Sequence, residues 1–249
     1  MEPRQRPERL DQEMFGGSPA VMVACGCAHT IVVTTAILVW ACVNGERGKL
    51  GLGDETDKLV LTLVGPDRFR GEPMIVLAVA DAEHSVVLGA DGGTWTWGYG
   101  GQGRLVHDNQ EDRLEQTLII CEALDGAVAV LVVAGSCHTV AVTSEGALWV
   151  WGYGLYGQLG LGDTENRLKP VRVGAEEVFG GLVLVAACGD EHTLIVTKNG
   201  TLWTCGEKQN VKPDARTIMT GWCRHRSRRS TLATLRLSPP TWGHFIWQQ

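Results

Sequence analysis

Short apolar segments separated by polar turns fill most of the chain. Between Val130 and Val173 the clearest of these segments are Val130–Ala134, Thr139–Thr143 and Ala147–Trp151. They are rich in β-branched and aromatic residues, and none shows the 3.6-residue period of an amphipathic helix. The pattern therefore predicts an all-β chain of short strands.

Turn signals lie between the second and third strand of each unit. They are Ala90-Asp91-Gly92, Ser144-Glu145-Gly146 and Lys198-Asn199-Gly200. Asp-Gly and Asn-Gly tolerate positive φ and are the strongest short-range signal of a β-hairpin. We therefore predict an antiparallel hairpin in each unit, followed by a glycine-rich loop and a further short strand.

The same unit is repeated four times. A histidine recurs every 54 or 55 residues, and a tryptophan follows each histidine by 11 positions. A period of about 50 residues indicates a repeat array such as a solenoid or a propeller. Four strands per unit indicate a blade, so we predict a β-propeller, or part of one, built from about four blade-like repeats of ~54 residues. The repeated residues are His29, His84, His138 and His192, with Trp40, Trp95, Trp149 and Trp203.

Charge divides the chain into three parts. The 249 residues carry a net charge of −6, but residues 207–249 contain eight Lys and Arg against two Asp and Glu, which leaves −12 for residues 1–206. We therefore predict a polar N-terminal segment (1–19), an acidic repeat domain (20–206) and a basic, disordered tail (207–249). The acidic body disfavours nucleic acid as a partner.

The chain also lacks the sequence signals of secretion and membrane insertion. Its first residues are polar and charged, and its longest apolar runs are much shorter than a membrane span. We expect a cytoplasmic or nuclear protein without membrane contact, whose eight cysteines are free thiols.

The third copy carries the most complete motif. It reads Ala134-Gly135, then His138-Thr139, then Leu148–Gly152 (LWVWG), and finally Gly157–Asp163 (GQLGLGD). This combination resembles the repeat of the regulator of chromosome condensation family. The resemblance implies a seven-bladed ring, of which four copies would leave about three blades missing.

The other copies depart from this motif. Copy one has Ile37 in place of the turn glycine and Cys42-Val43 in place of Trp-Gly, while copy two has a divergent loop at Gly103–Asn109. Some proteins of similar fold sense ultraviolet light through packed tryptophans in a Gly-Trp-Arg-His-Thr motif. This chain has no such motif before its histidines.

We expect the repeated histidines and tryptophans to be structural. Equivalent positions on different blades do not converge as metal ligands or catalytic partners do, and the imidazoles are expected to bond a neighbouring turn. The paired tryptophans are expected in the core and between blades. No catalytic residue, metal site or cofactor is predicted.

The leading hypothesis is a non-enzymatic protein–protein interaction module. Recognition would use the loops 44–57, 98–113 and 152–167, because loops vary on a rigid scaffold. The resemblance implies two alternatives: a guanine-nucleotide exchange factor for a Ran-like small GTPase, and the substrate-recognition part of a ubiquitin ligase assembly. The open strand edges leave three alternatives: the chain closes as a small ring, it pairs with a second copy in a homodimer that buries both edges, or it is a decayed copy that folds poorly. The candidate loop residues are Gly48, Asp54, Gly103, Gly157, Gly160 and Asp163.

Overall fold

The computed structural model describes residues 9–65, 74–119, 121–174 and 178–207. The strands of these ranges form four antiparallel sheets, each a meander of consecutive strands. We number the sheets as blades 1 to 4 in chain order. This arrangement confirms the prediction of an all-β partial propeller built from four repeats.

The strand bounds follow the repeat. Blade 1 contains β1 (Ala20–Cys25), β2 (His29–Thr34), β3 (Val39–Val43) and β4 (Lys58–Leu63). Blade 2 contains β5 (Ile75–Ala80), β6 (His84–Gly89), β7 (Thr94–Gly98) and β8 (Arg113–Ile119). Blade 3 contains β9 (Ala129–Ala134), β10 (His138–Thr143), β11 (Leu148–Gly152) and β12 (Arg167–Val173). Blade 4 contains β13 (Val183–Cys188), β14 (His192–Thr197) and β15 (Leu202–Gly206), three strands within the described residues.

The predicted hairpins join the second and third strand of every blade. Gly92, Gly146 and Gly200 have φ of 89°, 80° and 83°, in the left-handed region that favours glycine. Ile37 takes the equivalent position in blade 1 with φ 62°. A β-branched residue rarely adopts this conformation, so copy one keeps the turn despite an unfavourable residue.

The hydrophobic core lies between blades. One cluster joins Ile31 and Val33 of blade 1 to Val87 of blade 2, and two further clusters join blade 2 to blade 3 and blade 3 to blade 4. Because each face of an inner strand packs on a different neighbour, a single repeat does not bury its own core.

The N-terminal segment, predicted to be polar, also contributes an apolar side chain to the packed fold. A 3-10 helix, Gln12–Phe15, contacts β4, and the Phe15 side chain is buried. Most of the predicted basic tail, residues 208–249, lies outside the described residues, so the division into three parts stays a prediction.

Candidate functional site

Three of the four repeated histidines connect neighbouring blades. The Nε2 atom of His29 lies 2.8 Å from the Ser85 hydroxyl, which belongs to β6 of the next blade. His84 Nε2 lies 3.0 Å from the Thr139 hydroxyl, and His138 Nε2 lies 2.8 Å from the Thr193 hydroxyl. The partner is thus a strand hydroxyl directly after the next histidine, whereas a turn was expected.

The hydroxyl at each junction also bonds a loop carbonyl. Ser85 donates to the Lys49 carbonyl at 2.9 Å, and Thr193 donates to the Gln158 carbonyl at 2.8 Å. A hydroxyl has one proton, so the histidine Nε2 must donate to the hydroxyl oxygen. The geometry therefore requires a proton on the Nε2 atom of each of these imidazoles.

The same carbonyl accepts a second bond from the next blade. Trp97 Nε1 donates to the Lys49 carbonyl and Trp151 Nε1 to the Arg104 carbonyl, both at 2.9 Å. At the third junction the thiol of Cys205 replaces the indole, 3.3 Å from the Gln158 carbonyl. Each junction therefore joins a histidine, a hydroxyl, a loop carbonyl and an indole or thiol.

A glycine three residues before His29 and before His138 makes room for the ring. A Cβ added to Gly135 would lie 2.7 Å from His138 Nδ1, and one added to Gly26 would lie 2.9 Å from His29 Nδ1. In copy two Asp81 takes this position, and its carboxylate lies 3.9 Å from His84 Nδ1. Burial raises the pKa of Asp81 to about 6.

Burial also controls the charge of the histidines. The side chains of His29, His84 and His138 are at most 2% exposed. Desolvation lowers the pKa of His29 and His138 to about 4, and it lowers the pKa of His84 well below its ordinary value. All three imidazoles are therefore neutral at pH 7. His192, on the last described blade, is exposed.

The four tryptophans that follow the histidines lie on the face of each blade opposite to the face that carries the histidine. Trp95 and Trp149 are buried in the clusters that join them to the preceding blade. Trp203 packs edge-on against Phe179, with ring centroids 5.4 Å apart. Trp40 is half-buried, and its ring would be only 3.1 Å from a Cβ added to Gly16.

Part of each candidate loop is buried, and we call this part, which contains the residue that supplies the junction carbonyl, the inner arm. Lys49, Arg104 and Gln158, which supply the junction carbonyls, are at most 2% exposed. A Cβ on Gly48 would lie 2.6 Å from the Leu114 Cα, and one on Gly103 would lie 2.7 Å from the Leu168 Cα. These glycines therefore let a loop pack against the fourth strand of the next blade.

The outer arm of each loop is held by a repeated set of bonds. In every loop a glycine N–H donates a hydrogen bond to an Asp or Asn side chain 12 residues later. The bonds are Gly45 to Asp57 (2.9 Å), Gly100 to Asp112 (2.8 Å) and Gly154 to Asn166 (2.9 Å). Asp54 accepts from the Thr56 N–H at 2.8 Å, and Asp163 accepts from the Glu165 N–H at 3.0 Å.

The divergent loop of copy two keeps the positive φ of the other loops at two positions. Val106 and Asp108 have φ of 64° and 56°, at positions where copy three has Gly160 and Gly162 with φ of 66° and 86°. The loops differ earlier, because Arg47 and Gln102 have positive φ within short 3-10 helices, whereas Tyr156 of copy three does not have positive φ.

Sequence reasoning expected the paired tryptophans between blades, but it did not identify Ser85, Thr139 and Thr193 as junction residues. The signal was present, since a Ser or Thr directly follows every repeated histidine.

Among the described ranges, no group of three or more His, Cys, Asp and Glu side chains is placed to hold a metal ion. No helix of the described chain has the length and hydrophobicity of a membrane span.

Comparison with known proteins identifies the repeat. The model of the regulator of chromosome condensation (RCC1) repeat matches residues 145–196, and a second model of that description matches 129–158 and 185–210. The chain belongs to the RCC1 repeat family. This confirms the resemblance found in the sequence.

Curated members of the family include a receptor and ligases. The ultraviolet-B receptor UVR8 of Arabidopsis thaliana is 33% identical over 207 residues, which cover 82% of this chain and 44% of the receptor. The human E3 ubiquitin-protein ligase HERC2 is 31% identical over 189 residues, covering 75% of this chain and 4% of the ligase. The chain thus spans less than half the length of these relatives.

Solved structures show the same fold. Human WBSCR16 superposes with a TM-score of 0.67 at 22% identity, covering 79% of this RCC1-repeat chain and 50% of that protein. Yeast RCC1 (Prp20), bound to Kap60, superposes with a TM-score of 0.66 at 18% identity, covering 77% of this chain and 44% of that protein.

Proposed function

We propose that this RCC1-repeat chain is a non-enzymatic protein-binding module, cytoplasmic or nuclear, that recognises its partner through the loops 44–57, 98–113 and 152–167. One observation carries the proposal. The loops share one hydrogen bond from a glycine N–H to an Asp or Asn side chain, but they carry different residues at two consecutive positions. These positions hold Glu46-Arg47, Gly101-Gln102 and Leu155-Tyr156. Variable side chains on rigid turns are typical of a recognition surface, because little conformational entropy is lost on binding.

The third loop presents the strongest candidate for a binding hot spot. Leu155 is 55% exposed and Tyr156 is 42% exposed, and the Tyr156 ring packs edge-on against Tyr153 at 5.8 Å. Large aromatic side chains held in place dominate the binding energy of many interfaces. We call Tyr153, Leu155, Tyr156, Glu191 and Glu207 the tyrosine patch.

The charge of the tyrosine patch restricts its partner. The Glu191 carboxylate is the main cause that raises the pKa of Tyr156, and a hydrogen bond to Glu207 raises the pKa of Glu191. Two carboxyl groups thus lie beside exposed apolar and aromatic side chains. A protein segment with an apolar anchor and neighbouring Lys or Arg residues fits this surface.

The test is capture from cell extract with two variants measured side by side. The double variant Leu155→Ala, Tyr156→Ala should lose most partner capture while its thermal unfolding is unchanged. Leu59→Ala is the matched control, because Leu59 is 93% exposed on β4 of blade 1, outside the three loops and on a different blade from Leu155 and Tyr156. If both variants capture the same proteins as the wild type, the loop surface is not the recognition site.

The similarity to HERC ligases favours a second candidate, substrate recognition in a ubiquitin ligase assembly. The matched part covers 17% of human HERC4, so the role proposed for these repeats is recognition and not ligase chemistry. Recovery of ligase components by the wild type, and not by the double variant, would support this role.

Exchange activity is tested by release of labelled GDP from a Ran-like GTPase. Acceleration by micromolar protein would replace the non-enzymatic proposal.

A further inference from the structure

Blade 4 has one face that no described residue covers. In β14 the side chains of Thr193, Ile195 and Thr197 point toward blade 3 and are buried. His192, Leu194 and Val196 alternate with them and point to the other side, where His192 is exposed and the other two are half-buried. Their counterparts in blade 3, His138, Val140 and Val142, are at most 2% exposed, because blade 4 covers them.

Blade 1 has an open face of the opposite kind. Thr30 occupies the position of Ser85, Thr139 and Thr193, the hydroxyls that receive a histidine at the three junctions. It pairs with Cys25 on β1 and Cys42 on β3, which places these residues on one side of the sheet. Val23 lies on the same side and is 63% exposed, whereas Val32 and Thr34 of β2, also on this side, are buried, so the face is open mainly at β1. The 3-10 helix region covers the far end of this face at Trp40 through Gly16.

The two open faces carry the histidine and the hydroxyl of a junction that the chain builds three times, and the loop carbonyl of that junction lies outside the described residues of blade 4. One face supplies a histidine with apolar neighbours, and the other supplies a hydroxyl with apolar neighbours. No Lys, Arg, Asp or Glu is among the outward residues of β14 or of β1, so apolar surface meets apolar surface. Exposed apolar area of this kind indicates an interaction surface.

We propose that the open face of blade 4 binds the open face of blade 1 of a second copy of this chain. The His192 Nε2 donates to the Thr30 hydroxyl of that copy, and Leu194 and Val196 pack against Val23 and its neighbours. The occupant is argued from continuity with the three existing junctions, which use the same two faces. This inference is independent of the partner-binding loops, which do not contribute residues to either open face.

Such a contact is heterologous, because it joins two different surfaces. If both junctions form between two copies, the ring closes with twice the four blades of one chain, within the usual range of about 4–8. If only one forms, each copy leaves one face free for the next.

The test uses complementation between two variants of the full chain. Leu194→Glu places a charge on the blade 4 face, and Val23→Glu places one on the blade 1 face. We expect wild-type protein to associate at micromolar concentration in light scattering, with a reducing agent present because Cys25 is exposed. Each variant alone should have the mass of one chain. An equal mixture should recover a mass of two chains, because each variant retains the face that the other has lost.

Controls separate this contact from other causes. Leu59→Glu, on the exposed outer strand, should associate like the wild type. Val185→Glu, also on the blade 4 face and 39% exposed, replaces Leu194→Glu if that variant unfolds. A wild type that stays monomeric overturns the proposal. Variants that associate alone, or a mixture that stays monomeric, also overturn it.

Discussion

The Nε2 atom of His138 lies 2.8 Å from the Thr193 hydroxyl, one blade and 55 residues away along the chain. The hydroxyl donates its only proton to the Gln158 carbonyl. The imidazole is therefore the donor to Thr193, and removal of the hydroxyl leaves the imidazole N–H without a partner and the Gln158 carbonyl with only the weak thiol donor of Cys205.

We expect Thr193→Val to lower the free energy of unfolding by about 1–3 kcal/mol, the cost of unsatisfied buried polar groups. The size of the side chain is kept, so the loss reports the hydrogen bonds. Thr193→Ser is the control, because a serine, Ser85, serves this role at the first junction. Urea unfolding measures both variants, and equal stability of Thr193→Val and wild type would contradict a bonded junction.

Stability should decrease as pH falls from about 6.5 toward 4. The folded-state pKa of His29 and His138 is about 4, below the ordinary 6.5, so the unfolded chain binds protons first. The stabilisation is complete above pH 6.5 and is lost as the pH falls through this range. Asp81 acts in the opposite direction, because its folded pKa is raised to about 6. Urea unfolding at pH 7 and pH 5 measures the difference, and His138→Gln should reduce it. A pH-independent stability would contradict burial of neutral imidazoles.

Ile37→Gly should raise the free energy of unfolding, by up to about 1 kcal/mol, because Ile37 has φ 62° where the other copies have glycine. The reverse change, Gly146→Ile, should destabilise the chain, since its φ is 80° and its Cβ would meet the Leu182 Cβ at 2.8 Å. Thermal unfolding measures both variants. A loss of stability in Ile37→Gly would show that the packing of Ile37 outweighs its backbone strain.

Two equivalent loop glycines should differ in tolerance. Gly103 and Gly157 have φ of 82° and 76°, so alanine is strained at both. A Cβ on Gly103 would meet the Leu168 Cα at 2.7 Å, whereas one on Gly157 has no described atom within 4 Å. Gly103→Ala should therefore cost about 1–3 kcal/mol more from overpacking. Chemical denaturation of both variants measures the difference, and equal losses would contradict the packing of loop against strand.

The hairpins illustrate how local signals determined the strands. Asp91-Gly92 and Asn199-Gly200 specify positive φ by their own chemistry, and the structure has a hairpin at each. The repeat period determined the number of blades for the same reason, because each unit folds from nearby residues. Copy one forms its hairpin at Ile37 without the local signal, since neighbouring strands impose it.

The junctions show what the sequence alone left undetermined. The spacing of His138 and Thr193 gives no sign that they touch, since contact depends on how one blade stacks on the next. Tertiary packing also decided that the inner arms of the loops, at Lys49 and Gln158, are buried while Leu155 and Tyr156 are exposed. The sequence by itself thus determined the blade, through turn chemistry and strand alternation. Only the tertiary structure decided which residues join the blades and which are available to a partner, because burial depends on surfaces that are distant along the chain.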